Sequence, residues 1–201
     1  MIKNIIFDAG NVLVEVRWNE VMQKLGFGDE VSNRVSAATV RSDKWKEYDR
    51  SACSDEELIV SFVANDPEME KEIRLFMKHE SEAIVGFAYA KEWVKSFKEN
   101  GYNCYILSNY SKSTYEKTKD EREYEEYVDG GISSWQVQMV KPETEIYRAL
   151  LKRYELVPQE CVFMDDNVMN VEVARELGIH AIHFTTKEDA EVKLRKLGVQ
   201  C

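Results

Sequence analysis

The sequence predicts an α/β fold built on a parallel sheet, with a helical subdomain inserted after the first strand. Three observations carry this. Short, near-continuous apolar runs end in polar or turn-forming residues, as expected of parallel strands buried on both faces. Amphipathic stretches at helical spacing alternate with those runs. Residues 15–85, about seventy in all, are rich in Glu, Lys, Ser and Asn at helical spacing and are too long for a structureless loop.

The elements follow in order. Residues 2–7 (IKNIIF) run apolar into Asp8, and Gly10-Asn11 turn the chain. Within 15–85, Ser54-Asp55-Glu56-Glu57 ahead of Leu58 has the pattern of a helix N-terminus. Residues 87–99 place Phe87, Ala90, Trp93, Val94 and Phe97 on one face, and Asn100-Gly101 stops that helix. The runs 102–107 (YNCYIL), 160–164 (ECVFM) and 179–184 (IHAIHF) supply further strands. Helices are predicted at 143–154 after Pro142, at 168–177 before Gly178 and at 187–197. The segment 119–129 reads as a surface helix or loop, its acidic run 120–126 a solvated face. The α/β core is therefore assigned to 1–14 and 86–201, and the helical subdomain to 15–85.

Composition narrows the function classes. The 201 residues are 44% hydrophobic and 32% charged, ordinary for a globular chain. No apolar run approaches the ~20 residues of a membrane helix. The first residues turn acidic too soon for a signal peptide, so the expected location is cytoplasmic. A formal net charge of −10 argues against nucleic acid and anionic membrane as partners. An anionic substrate would need local positive charge. Cys53, Cys104, Cys161 and Cys201 show no metal-ligand spacing and read as reduced, structural thiols.

Four polar features fall at or just past the C-terminal ends of predicted strands: Asp8, Ser108-Asn109, Lys141 and Asp165-Asp166. Ligands of open α/β sheets bind at that edge. Three carboxylates close together repel, and so invite a divalent cation or a proton. All-oxygen donors suit Mg²⁺. Lys141 is a compact cation for an anionic substrate, and Ser108 and Asn109 offer donors. A carboxylate can attack phosphorus and form an acyl phosphate. Taken singly, each feature is an ordinary turn, cap or solvated lysine; their coincidence on one edge points to phosphoryl transfer. Elsewhere, His180 and His183 lie on opposite faces of a strand and make no metal pair. Trp18, Trp45 and Tyr48 either fill a small helical core or line a pocket from the insert. Arg17 and Arg50 read as surface salt bridges rather than substrate ligands.

At these residues the chain resembles the haloacid dehalogenase superfamily. IIFDAGNVLV is similar to its first motif, YILSNYS to its second, MVKPETEIY to its third and VFMDDNVMN to its fourth, in that order along the whole chain. Asp-x-Gly-Asn-Val resembles most the branch with bacterial glucose-1-phosphate phosphatases and, more distantly, the N-terminal phosphatase domain of soluble epoxide hydrolase. The resemblance implies a Rossmann-like core with the subfamily I cap inserted after motif one, and Mg²⁺-dependent hydrolysis of a small phosphorylated metabolite. It makes Asp8 the nucleophile and a metal ligand, with the Gly10 carbonyl and Asp166 as further ligands. Asp165 is a ligand or the holder of Lys141. Ser108, Asn109 and Lys141 bind the phosphoryl group, and Asn170 braces the loop. One departure stands out: the family's usual acid/base Asp, two residues after the nucleophile, is here Gly10. That implies a leaving group needing little protonation, such as an anomeric sugar phosphate, with water or a cap residue moving the proton. A dehalogenase and a non-catalytic module of the same fold are the alternatives.

Overall fold

Each apolar run singled out above becomes a strand of one parallel sheet. A computed structural model describes the whole chain, Met1–Cys201. In chain order the elements are β1 (Asn4–Phe7), β2 (Val14–Val16), α1 (Trp18–Lys24), α2 (Asp29–Ala38), α3 (Trp45–Arg50), α4 (Asp55–Val63), α5 (Glu70–His79), β3 (Ile84–Gly86), α6 (Ala90–Glu99), β4 (Asn103–Ser108), α7 (Lys112–Lys117), β5 (Gly130–Ser133), α8 (Ser134–Val137), α9 (Thr144–Arg153), β6 (Cys161–Asp165), α10 (Val168–Glu176), β7 (His180–His183) and α11 (Lys187–Lys196). The main sheet has five strands in the order β5-β4-β1-β6-β7. All four strand pairs in it are parallel.

Alternation along the central strands divides the core. Ile5 and Phe7 face a cluster with Trp93, Val94 and Phe97 of α6 and Ala190 and Leu194 of α11. Ile6 faces the other way, with Phe163, against Ile146, Tyr147 and Leu150 of α9 and Ala174 of α10. Phe7 meets the Trp93 ring edge-on at 5.5 Å between centroids. Full burial of a side chain such as Phe7 is worth roughly 1.5–3 kcal/mol. The apolar face predicted for 87–99 is thus the face that covers the sheet. Helix ends fall where the glycines predicted them: Gly101 and Gly178 adopt φ of +83° and +81°, the left-handed region that only glycine enters at no cost.

Helices α1 to α5 lie between β2 and β3, which pair as a short antiparallel ribbon. They enclose their own cluster, including Val21, Met22, Phe62, Ile73 and Phe76. Helix α4 starts with the capping box expected of Ser54 and Glu57. No helix is long and apolar enough to cross a membrane.

Two features differ from the sequence reading. The edge strand β5 has no apolar run to announce it. Its Gly131 is needed because a Cβ there would stand 2.6 Å from the Ile106 carbonyl oxygen. The acidic run 120–126 is not simply a solvated face. It forms two 3-10 turns, Lys119–Glu121 and Glu123–Tyr127, with Arg122 and Tyr124 buried. The Arg122 guanidinium lies 3.7 Å from the Tyr115 ring centroid and donates to the Tyr115 carbonyl at 2.8 Å. Cation–π and hydrogen-bond contacts compensate its burial, which charge patterning alone does not reveal.

Candidate active site

Strand order assembles the site. The three central strands, β4-β1-β6, end side by side, and Phe7 is in register with both Ile106 and Met164. Ser108 is the last residue of β4 and Asp165 the last of β6, while Asp8 directly follows β1. Lys141 reaches the same edge from the loop between α8 and α9. Asp8 Oδ1 and Asp165 Oδ2 share its ammonium, at 2.8 and 2.7 Å. All three groups are buried.

Each member of this trio is braced. The Asp8 amide donates to the Met164 carbonyl at 2.9 Å, and the Ala9 amide to Asp8 Oδ1 at 2.7 Å. Asp165 accepts from the Asn170 amide at 3.0 Å on each oxygen and from the Asn167 N–H at 2.8 Å. Asn109 spans the loop of Lys141: its Oδ1 accepts from the Lys141 N–H at 2.8 Å and its Nδ2 donates to the Lys141 carbonyl at 3.0 Å. Its amide is therefore engaged with the lysine loop. The Ser108 side chain is buried at the strand end.

Charge sets what the site can hold. Burial pushes the Asp8 carboxyl up to about 7; Lys141 opposes this, and the Asp165 and Asp166 carboxylates add to it. Burial disfavours the Lys141 ammonium, yet Asp165 and Asp8 hold it above its ordinary value. Oxygens of Asp8, Asp165 and Asp166 all lie within 4.8 Å of one another. Three carboxylates face one ammonium, so the donor set fits a hard divalent cation. Asp166 is the least buried of the three. It is held by two residues the sequence reading did not single out for the site. Asn11 donates to its Oδ2 at 2.8 Å. His183 places Nε2 3.0 Å from its backbone carbonyl oxygen. Asn11 has φ of +54°, a left-handed position that asparagine tolerates better than most residues.

A cavity of about 90 Å³ opens over this edge, lined by Gly10, Val16, Trp18, Trp45, Asp49, Asn109 and Tyr110 among others. The two tryptophans serve both uses considered for them: they line the cavity and pack against Phe76 and Phe62. Tyr48 is a core residue. Arg17 pairs with Glu15, and Arg50 pairs with Glu143 in the loop after Lys141. His180 is exposed and His183 half-buried. The thiols of Cys104 and Cys161 are pushed up to about 12 and about 11 by burial, as structural cysteines should be.

A family model described as haloacid dehalogenase-like hydrolase matches residues 2–178. The chain is 23% identical over 195 residues to the sesquiterpene phosphatase astK of Aspergillus oryzae, covering 97% of this chain and 96% of that protein. It is 27% identical over 198 residues to the D-ribitol-5-phosphate phosphatase of Bacteroides thetaiotaomicron, covering 89% of each. A crystal structure of a haloacid dehalogenase family enzyme of Bacteroides thetaiotaomicron, in complex with magnesium and inorganic phosphate, superposes with a TM-score of 0.74. It is 24% identical and covers 97% of this chain and 100% of that one.

Proposed function

The chain belongs to the haloacid dehalogenase-like hydrolases, and we propose that within them it is a Mg²⁺-dependent phosphatase of a small phosphate monoester, with Asp8 as nucleophile. The observation that carries this is the buried Asp8–Lys141–Asp165 trio with the Asp166 carboxylate beside it. Two phosphatases among the relatives, aligned over most of their length, support the same reading.

The roles follow from the contacts. Asp8, Asp166 and the Gly10 carbonyl would hold Mg²⁺, which when bound offsets charge on the phosphoryl oxygens. Asp165 spends its oxygens on Lys141, Asn170 and the loop backbone, and so holds the lysine. Lys141 orients Asp8 and attracts the phosphate. Ser108 and backbone N–H groups of the loop after β4 would donate to the phosphoryl oxygens. The Asp8 carboxylate attacks phosphorus, the alcohol leaves, and water hydrolyses the aspartyl-phosphate. Residues 15–85 act as a cap on the β2–β3 ribbon, excluding water and selecting the leaving group. A cavity of about 90 Å³ favours a small leaving group, and a polyol or sugar phosphate is the class to test first. Halide displacement from carbon needs no metal, so in a dehalogenase the acidic cluster around Asp166 would have no task.

The test is phosphate release from a panel that includes glucose 1-phosphate, ribitol 5-phosphate and p-nitrophenyl phosphate, with Mg²⁺ or EDTA, for wild type and Asp8→Asn. Metal-dependent release that is absent in Asp8→Asn is expected. No release across the panel would refute the phosphatase reading and favour a non-catalytic module.

A further inference from the structure

We propose that Asp49, carried by α3 of the helical insert, is the general acid and base that position 10 lacks. The proposal rests on the phosphatase reading above and names the group that moves the proton in it. Three observations converge on this residue.

The first is place. Asp49 lines the same cavity as Gly10 and Asn109, the space beside the nucleophile loop where we place the leaving group. The second is that its carboxyl is free. The Asp49 backbone carbonyl accepts from Ser134 Oγ at 2.7 Å, but no ion pair or hydrogen bond engages the side chain. A half-buried carboxyl without a partner is costly, and most acids of this chain that approach such burial are paired. The third is anchoring. Ser134 holds residue 49. Arg50 pairs with Glu143 and donates to the Gln138 carbonyl at 3.0 Å. Ser51 Oγ accepts from the Lys112 N–H at 2.9 Å. Three consecutive residues are thus tied to three separate segments of the α/β core, and the carboxyl between those ties is held over the site.

Its surroundings suit a proton carrier. Asp8 faces it from the loop after β1, Lys141 from the loop before α9 and Glu80 from the turn after α5; Tyr48 and Arg50 flank it on its own helix. Burial raises its carboxyl to about 8, with Lys141 opposing and Asp8 and Glu80 adding. It is then protonated near neutrality, as a donor to an alkoxide must be.

The proton balance is as follows. As Asp8 forms its bond to phosphorus and the ester P–O bond breaks, Asp49 gives its proton to the departing oxygen, and the alcohol leaves. The Asp49 carboxylate then takes a proton from water as that oxygen attacks phosphorus. The bond from phosphorus to Asp8 breaks, releasing phosphate, free Asp8 and a reprotonated Asp49. Gly10 has no part in either proton step.

The experiment compares wild type, Asp8→Asn and Asp49→Asn with Mg²⁺ on an alkyl phosphate and on p-nitrophenyl phosphate, whose leaving group needs no proton. Asp49→Asn should lose ~10²–10⁴-fold in kcat on the alkyl ester. On p-nitrophenyl phosphate it should give a burst of one product per enzyme and then slow turnover, with a phosphoryl group on Asp8 visible by intact mass. Alkyl ester turnover within about threefold of wild type would overturn the proposal, since a positioned acid contributes far more. So would an equal loss on both esters with no burst in a folded variant. If Asp49→Asn does not fold, the wild-type pH profile decides. Alkyl ester kcat should fall above pH about 8 while the p-nitrophenyl burst does not; an alkyl profile flat on that side overturns it. Wild type releasing no phosphate from either ester is a different failure, of the phosphatase reading itself, and this proposal falls with it.

Discussion

Lys141→Met tests whether the trio at the site is an electrostatic unit. Methionine keeps the length and flexibility of the stem and removes the charge. Asp8 and Asp165, both buried, then lose the ammonium 2.8 and 2.7 Å away. Breaking a buried pair from one side costs roughly 3–5 kcal/mol, because an uncompensated charge remains. For a chain of this length 1 kcal/mol moves the melting temperature about 2–4 °C, so a fall of roughly 6–20 °C is expected. The assay is thermal unfolding by circular dichroism in EDTA, with urea melts to give the free energy directly. Asp165→Asn on the Lys141→Met background should recover part of the loss, since one orphaned charge is removed. A Lys141→Met variant melting within about 2 °C of wild type would refute the reasoning, for it would mean that the pair contributes nothing net beyond its own desolvation.

Gly10→Asp should fold and melt like wild type, because a Cβ at Gly10 meets only Val16 Cγ2, at 3.7 Å. In the Asp49→Asn background it should restore alkyl phosphate turnover at least ~10-fold, by returning an acid to the site; kcat of the double variant against that of Asp49→Asn alone checks this. Mg²⁺ should raise the melting temperature by mass action, ~2.7 kcal/mol at a hundred times Kd, and Asp166→Asn should abolish most of that rise in a fluorimetric titration. Burial holds the Glu80 carboxyl above its ordinary range, with Lys117, Thr114 and Tyr48 opposing. The folded state therefore binds this proton more tightly than the unfolded state, and its contribution to stability is greatest below the unfolded carboxyl value of ~4.3 and declines as pH rises to the folded value. Glu80→Gln should gain on wild type across that rise, and melting curves of the two that stay parallel from pH 4 upward would count against it.

What was legible in the sequence was whatever repeats locally. The four apolar runs became β1, β4, β6 and β7 because burial on both faces leaves no room for polar residues in the middle of a strand. Asp8, Asp165 and Asp166 stand on the expected edge because each ends or follows such a run, whereas Lys141 reaches it from the loop between α8 and α9. What escaped was whatever depends on approach across the chain. Asn11 meets Asp166 from 155 positions away, and nothing near Asn11 foretells it. His183 was weighed as one of a pair with His180, although its partner is the backbone of the acidic loop. Nothing near Asp49 foretells its place either: its helix is anchored by Ser134, Glu143 and Lys112, between 61 and 93 positions along the chain. Strand β5 escaped for a related reason: glycines fit it under Ile106 and Tyr154, so its identity comes from neighbours rather than from its own pattern.

Strand β1 occupies the middle of the sheet, and its partners arrive late. Asn4 pairs with Asn103 on one side and with Cys161 on the other. During synthesis β1, which leads into Asp8, emerges well before β4 and β6 and is enclosed only when both have arrived. Until β6 has left the ribosome, one flank of an apolar strand remains open to intermolecular pairing, the hazard common to sheets with long-range order. The helices α1 to α5, by contrast, draw on local contacts and can form in the interval. Chains halted between β4 and β6 should accordingly be the species that chaperones retain, and any hydrolytic competence should appear abruptly, with the closing of the last central strand.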